Sequence, residues 1–193
     1  MIYYDPARTV PNWAPGAAEH LESLMNMNDI CFEWGGGQST GWLARLVQHG
    51  MVITVENNLE WLQRTVKLTE KMSNCHIVWS PKTMRRYVDA VDMVTPTVFL
   101  VDGYLRPECL KKVIDIAKPG NIILLDDALD YTSADRRVVC STFITREDFP
   151  QDVPPPEPPM GEVHRMPHPH RGQKNLYGIL SPEFKETWVW KVR

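Results

Sequence analysis

Short apolar runs alternate along the chain with segments of helical periodicity, and this alternation predicts an α/β fold. The apolar runs are rich in β-branched and aromatic residues and are bounded by glycine, proline or polar residues, as buried parallel strands are. These predicted strands are residues 29–34, 51–56, 75–79, 97–102 and 121–126. The predicted helices include residues 16–28, 59–72 and 106–118. Strands and helices in this order favour a parallel sheet with helices packed against it.

The stretch 31–47 joins a strand end, a glycine turn and the start of a helix. Its turn is formed by Gly35, Gly36 and Gly37. Glycines let the backbone turn sharply and approach a ligand closely, because no Cβ blocks either move. Ser39 and Thr40 are suitable N-caps for the helix that follows. Backbone N–H groups at such a turn predict a site for a ligand with a polar or anionic part.

Acidic residues at two strand ends extend this site. Glu56 ends the second strand and lies 56 − 33 = 23 positions after Glu33, which is the length of one strand–helix–strand step. A carboxylate at that strand end can accept two hydrogen bonds from a ribose diol. The dinucleotide pattern G-x-G-x-x-G fails, since Thr40 stands where its third glycine belongs. A glycine turn that binds no ligand is the alternative.

Together these motifs resemble those of class I S-adenosylmethionine-dependent methyltransferases. The matching patterns are E-W-G-x-G-x-S-T, V-E-x-x-x-x-W, V-D-G and L-D-D, which span residues 29–128 firmly and the last strand, 186–193, loosely. The resemblance implies a Rossmann-like, doubly wound seven-stranded sheet with helices on both faces and an antiparallel last strand. It implies one domain, residues 1–193, with an N-terminal cap at 1–28 and a Pro/His-rich loop at 150–172.

The resemblance also implies where S-adenosyl-L-methionine would bind. Trp79 and Ser80 follow the third strand, where the family flanks the adenine. Trp61 could cover the cofactor, although a tryptophan on an amphipathic helix more often packs in the core. The apolar residues expected to face inward on the same helix are Leu59, Leu62, Val66 and Leu68. The implied cofactor-binding residues are Glu33, Trp34, Gly35, Gly36, Gly37, Ser39, Glu56, Asn57, Trp61, Trp79, Ser80 and Asp102.

Three carboxylates lie at the ends of the fourth and fifth predicted strands: Asp102, Asp126 and Asp127. Such a rim is unfavourable unless protons or a cation neutralise it, and hard oxygen ligands suit Mg²⁺. Metal-dependent O-methyltransferases are similar here, but one group has a D-G-D segment whose second Asp is replaced by Tyr104 in this chain. The implied catalytic residues are Asp102 and Tyr104. Alternatively, Asp102 borders the sulfonium and amine of the cofactor, while Asp126 and Asp127 cap the next helix.

The two ends of the chain carry further candidates. The N-terminal cap holds Tyr3, Tyr4 and Trp13 among prolines, so it could cover the core edge or the ligand cleft. A proline-rich connector at 150–160 precedes three histidines, His164, His168 and His170. Zinc would need a fourth ligand. His168 is the candidate general base, because imidazole titrates near neutrality, and a polar loop without a catalytic role is the alternative.

Composition narrows the function. With 193 residues and 43% hydrophobic content the chain can bury one core, and a net charge of −3 gives no general attraction for nucleic acid or membrane. We expect a cytoplasmic protein, because there is no apolar run of about 18 residues, no secretory signal pattern and no paired cysteine motif. Four arginines, at 85–86 and 136–137, keep a nucleic-acid substrate possible.

The predicted function is therefore methyl transfer from S-adenosylmethionine to a small-molecule acceptor, favouring a hydroxyl of a small molecule or sugar. The sequence leaves two other classes open. One is an enzyme that cleaves the cofactor or transfers its aminopropyl group, and the other is a non-catalytic binding module with a Rossmann-like fold.

Overall fold

A parallel sheet forms the centre of the structure, a computed structural model that describes residues 10–13, 16–81, 84–126, 164–167 and 184–192. Its parallel strands are β1 (Ile30–Trp34), β2 (Met51–Glu56), β3 (Cys75–Trp79), β4 (Val98–Val101) and β5 (Ile122–Leu125). Each pairs with its neighbours in parallel, in the order β3-β2-β1-β4-β5. The prediction of a Rossmann-like α/β fold is confirmed.

Two later strands extend this sheet beyond β5. Strand β7 (Phe184–Lys191) pairs with β5 in antiparallel orientation, and β6 (His164–Pro167) pairs with β7 in the same manner. Val189 is buried against β5 in the apolar cluster that contains Ile122 and Leu124.

Helices cover both faces of the sheet: α1 (Ala17–Leu24), α2 (Gln38–Leu46), α3 (Leu59–Thr69), α4 (Met84–Val88) and α5 (Arg106–Ile116). Because neighbouring strand residues point to opposite faces, each strand contributes to two apolar clusters. Cys31 packs in the cluster with α1 and α2, whereas Phe32 packs in the cluster with α4 and α5. No described helix is both long enough and apolar enough to cross a membrane.

The predicted inward face of α3 is wrong for two of its four residues, since Leu62 and Leu68 are half-buried but Leu59 and Val66 are not. Leu59 and Val66 are 58% and 49% exposed, and the buried residues of this helix are Thr65 and Thr69. Each threonine hydroxyl donates to the backbone carbonyl four residues earlier, at 2.8 and 2.9 Å. With its polar group satisfied within the helix, a threonine can face the interior at little cost. The apolar periodicity of the sequence therefore did not identify the two fully buried residues of the helix.

The loops that follow β1 and β4 touch through their backbones. Gly35 has φ +94°, and a Cβ built there would lie 2.5 Å from the Cα of Gly103. A Cβ on Gly103 would lie 2.1 Å from the hydroxyl oxygen of Tyr87. Neither position can hold a side chain without moving its neighbours, so these two glycines fix how closely the two loops approach.

We expect Gly35→Ala to lower the free energy of unfolding by about 3 kcal/mol or more. A left-handed backbone adds about 1–2 kcal/mol for a residue with a Cβ, and overpacking adds about 1–3 kcal/mol. Gly120→Ala is the matched control, because Gly120 has φ +91° but no atom within 4 Å of a Cβ. Urea unfolding of both variants should show a smaller loss for Gly120→Ala, and equal losses would contradict the close contact at Gly35.

Candidate functional site

A cleft of about 430 Å³ opens at the carboxyl ends of β1, β2 and β4. Strand β1 lies between β2 and β4, so the connections to its two neighbours leave the sheet in opposite directions. Ligands of open α/β sheets bind at such a crevice. The residues that line it are 11–13, 35–39, 56–58, 61, 102–104, 106 and 126.

The carboxylate of Glu33 supports the glycine loop from behind. Glu33 is fully buried and accepts hydrogen bonds from the hydroxyls of Ser39, Thr40 (2.5 Å) and Thr54 (2.7 Å). These bonds connect β1, the first turn of α2 and β2. The hydroxyl of Ser39 thus binds Glu33 rather than capping the helix, which begins at Gln38. The hydroxyl of Thr40 does both, because it also accepts from the backbone N–H of the N-cap residue Gly37 at 3.1 Å. Of these two residues, only Ser39 lines the cleft.

Burial makes the carboxyl group of Glu33 a weaker acid than usual. Loss of solvent is the main cause that raises the pKa of its carboxyl from 4.5 to about 7, and the charge of Glu56 adds to the shift. The three hydroxyl donors oppose it, because they stabilise the ionised form. The sequence placed Glu33 and Trp34 among the cofactor contacts, but both are buried and neither lines the cleft. Trp34 instead donates its indole N–H to the carbonyl oxygen of Tyr87 at 3.0 Å.

Glu56 lies on the cleft wall at the end of β2. One of its carboxylate oxygens, Oε1, accepts from the backbone N–H groups of Asn57 (2.7 Å) and Asn58 (2.8 Å). The other, Oε2, accepts from the N–H of Gly36 at 2.9 Å. Three backbone donors therefore hold a buried carboxylate in one orientation and join the glycine loop to the end of β2.

An aromatic side chain, that of Trp61, also lines the cleft. Trp61 is half-buried and lines the cleft, where the guanidinium carbon of Arg64 lies 5.1 Å from the centre of its ring. A Cβ on Gly37 would lie 3.8 Å from this ring, an ordinary van der Waals contact, with no other described neighbour within 4 Å, so little fills the space beside Gly37. The side-chain nitrogen of Asn57, also on the wall, is buried and has no hydrogen-bond partner among the described residues.

At the end of β4, the carboxylate of Asp102 is held by two side chains. Its Oδ1 accepts from Nη2 of Arg106 at 2.9 Å, and its Oδ2 accepts from the indole N–H of Trp13 at 3.4 Å. Trp13 also packs edge-on against Trp42, with ring centres 5.6 Å apart. The described part of the N-terminal segment therefore covers the core edge and the cleft together, which are the two positions the sequence left open.

Arg106 is the cation of this rim, and the sequence prediction missed it. Its guanidinium donates to the carbonyl oxygens of Asp102, Gly103 and Asp126, as well as to the carboxylate of Asp102. The carboxylate of Asp126 is buried and accepts from the hydroxyl of Thr187 at 2.6 Å. The available signal was the spacing of four residues between Asp102 and Arg106.

The other predicted site residues are spread more widely. Tyr104 is 45% exposed at the cleft mouth, and its backbone N–H donates to the hydroxyl of Tyr87 at 3.2 Å. Trp79 is exposed and Ser80 is buried, and neither lines the cleft. Asp127 and His168 lie outside the described residues. Within the described part of the chain, no three Asp, Glu, His or Cys side chains are grouped to hold a metal ion.

The raised pKa of Glu33 predicts a pH-dependent stability. A carboxyl whose pKa is about 7 in the folded protein and 4.5 unfolded contributes stability that is complete below pH 4.5 and lost as the pH rises through about 7. The loss should be on the order of 3 kcal/mol. Glu33→Gln should remove this component in urea unfolding across that pH range, because an amide does not titrate. Glu60→Gln, on the exposed face of α3, should keep the pH-dependent component of the stability. An unchanged pH profile in Glu33→Gln would contradict the raised pKa.

Comparison with known proteins identifies the fold. No family model matches the sequence, and no protein with a curated description matches it. A precorrin-6y C5,15-methyltransferase from Geobacter metallireducens GS-15 is similar in structure, with 15% identity, a TM-score of 0.59, and coverage of 95% of this chain and 94% of that chain. An rRNA methylase from Streptococcus thermophilus has 15% identity and a TM-score of 0.56, covering 91% and 93%. A proposed O-methyltransferase from Klebsiella pneumoniae has 18% identity and a TM-score of 0.57, covering 92% and 83%. The chain therefore has the Rossmann-like α/β fold that these methyltransferases share.

Proposed function

We propose that the protein is an S-adenosylmethionine-dependent methyltransferase. The observation that carries this proposal is the carboxylate of Glu56, which three backbone N–H groups fix at the cleft between the loops after β1 and β4. S-adenosylmethionine supplies a methyl group that its sulfonium already activates, so the main tasks of the protein are to bind and align. The neighbours named above share the fold and are methyltransferases by their descriptions.

The residues present suit this cofactor. Glu56 would accept the ribose diol, because its orientation is already set and its carboxylate lies on the wall. The open space beside Gly37 is a cradle that a Cβ would narrow, and Trp61 offers an apolar surface next to it. Asn57 adds a buried polar group that has no partner in the described part of the chain. Asp102 stands at the far end of the cleft, where we place the reacting end of the cofactor.

For the acceptor we propose a small molecule that reacts through a hydroxyl. The cleft volume of about 430 Å³ lies in the range of small-ligand sites. A net charge of −3 does not favour an RNA acceptor. Tyr104 and Asp102, which both follow β4 and line the cleft, are the polar side chains that would meet an acceptor hydroxyl. Two structural neighbours are described as a precorrin methyltransferase and an rRNA methylase. A precorrin-like macrocycle and an RNA are therefore the acceptors to compare with a small hydroxyl compound.

The same proposal includes the complete sheet of this methyltransferase class, with seven strands and an antiparallel last strand. The antiparallel pairing of β7 with β5, next to the parallel strands, supports it. Thr187 and Val189, two positions apart on β7 and so on one face of the strand, are both buried, which agrees with a strand that belongs to the sheet.

Substitution of Glu56 tests the binding half of the proposal. We expect Glu56→Gln to bind S-adenosylhomocysteine at least about tenfold more weakly than the wild type, because a ribose diol loses a charged acceptor. Glu60→Gln is the control, since Glu60 lies four positions later on the exposed side of α3. Calorimetric titration measures both affinities, and thermal melting verifies the fold. Equal affinity of the wild type and Glu56→Gln would remove Glu56 from the site.

Product analysis tests the chemical half. The protein is incubated with S-adenosylmethionine labelled in its methyl group and with sets of hydroxyl-bearing small molecules. A labelled acceptor together with S-adenosylhomocysteine supports methyl transfer. Methylthioadenosine as the product would instead assign the protein to enzymes that cleave the cofactor or move its aminopropyl group.

A further inference from the structure

We propose that Arg106 is a positioning residue that supplies the positive charge of the acidic rim, so that the reaction at this cleft needs no divalent metal. This inference rests on the proposed function, because it concerns the same cleft. It replaces the Mg²⁺ site that the sequence suggested at Asp102, Asp126 and Asp127.

The contacts of Arg106 are those of a resident cation. Nη2 donates to the carbonyl oxygen of Asp102 at 3.0 Å and to its Oδ1 at 2.9 Å. Nη1 donates to the carbonyl oxygen of Asp126 at 2.6 Å, and Nε donates to that of Gly103 at 3.2 Å. One planar guanidinium thus joins the ends of β4 and β5 through four oxygens, a pattern that the rigid geometry of arginine favours. Its side chain is only 12% exposed.

The backbone that presents Arg106 is strained. Leu105 has φ 54°, the only positive φ outside glycine in the described residues. A bulky residue in the left-handed region is disfavoured, and such strain persists where surrounding contacts hold it. Arg106 also begins α5, where the helix dipole disfavours a positive charge. Both features work against this position for local stability, so the contacts of the guanidinium at the rim must offset them.

A divalent ion does not fit beside this arginine. Both oxygens of the Asp102 carboxylate already accept hydrogen bonds, from Arg106 and Trp13. The carboxylate of Asp126 is 1% exposed and binds Thr187, and its carbonyl oxygen binds Arg106. A metal on Asp102 would lie beside the guanidinium, and the two positive charges would repel in a partly buried site. Asp127 lies outside the described residues.

The absence of a metal requirement restricts the acceptor. Without a divalent ion, two neighbouring hydroxyls cannot be held by chelation, and no metal lowers the pKa of an acceptor hydroxyl. The acceptor must then be positioned by side chains and lose its proton to a protein group or to water. Arg106 contributes by holding Asp102 in one orientation at the reacting end of the cleft.

The first test uses the wild-type protein and Mn²⁺ as a probe for Mg²⁺. We expect the electron paramagnetic resonance signal of Mn²⁺ to remain that of the free ion when protein is added. S-adenosylhomocysteine should bind with the same affinity in EDTA and in excess Mg²⁺. Loss of the free Mn²⁺ signal, or tighter binding in Mg²⁺, would overturn the inference. Failure to bind S-adenosylhomocysteine in either buffer would instead contradict the proposed function, while the Mn²⁺ signal would still decide the metal question.

The second test assigns the role to Arg106. We expect Arg106→Met to bind S-adenosylhomocysteine at least about tenfold more weakly, since Asp102 loses its partner. Arg106→Lys should recover part of this loss, because it restores the charge but not the planar fork. Lys112, like Arg106, is on α5, but its ammonium group is paired with Asp92 outside this helix. Lys112→Met should therefore bind S-adenosylhomocysteine like the wild type. If Arg106→Met unfolds at a lower temperature than the wild type, the affinity of Arg106→Lys for S-adenosylhomocysteine decides the role of Arg106, and the Mn²⁺ measurement decides the metal question. Wild-type affinity in a folded Arg106→Met variant would overturn the positioning role.

Discussion

The backbone contact between Gly35 and Gly103 sets the geometry on which the cleft depends. These glycines follow β1 and β4, the adjacent strands from which the chain winds in opposite directions. Because neither residue carries a Cβ, the two loops meet at their Cα atoms instead of being separated by side chains. The cleft floor is therefore made of backbone, and the side chains that could act on a ligand stand around it.

Three carboxylates surround this floor, and the protein stabilises each in a different way. Glu33, behind the loop, is bound by three hydroxyls. Glu56, on the wall, is bound by three backbone N–H groups. Asp102, at the far end, is bound by the guanidinium of Arg106. A buried or partly buried carboxylate needs such partners, and here all of them come from the chain itself. The arrangement gives Glu33 a supporting role and leaves Glu56 and Asp102 facing the cleft.

The sequence predicted well those features that local patterns determine. Buried parallel strands appear as short apolar runs, so β1 to β5 were placed within a few residues of their observed ends. Glycines at a strand end likewise indicated the ligand loop. Trp61 illustrates the limit of such patterns, because helical periodicity left it between core and cleft, whereas the structure places it on the cleft wall.

Features that depend on distant partners could not be predicted. The role of Glu33 requires Thr54 on the next strand, and the role of Arg106 requires the carbonyl oxygen of Asp126, 20 positions away. The buried face of α3 was missed for a related reason, since threonines that bind their own helix carbonyls look polar in sequence. The acidic residues at the rim indicated that protons or a cation would neutralise them, but the sequence did not indicate that Arg106 contacts this rim.

Binding of the cofactor by the unmodified protein tests the central claim most directly. Calorimetric titration of the wild type with S-adenosylhomocysteine, with NAD as the comparison ligand, separates this cleft from a dinucleotide site. The account predicts micromolar binding of S-adenosylhomocysteine at one site per chain and no binding of NAD. A folded protein that binds NAD, or that binds neither ligand, would contradict it.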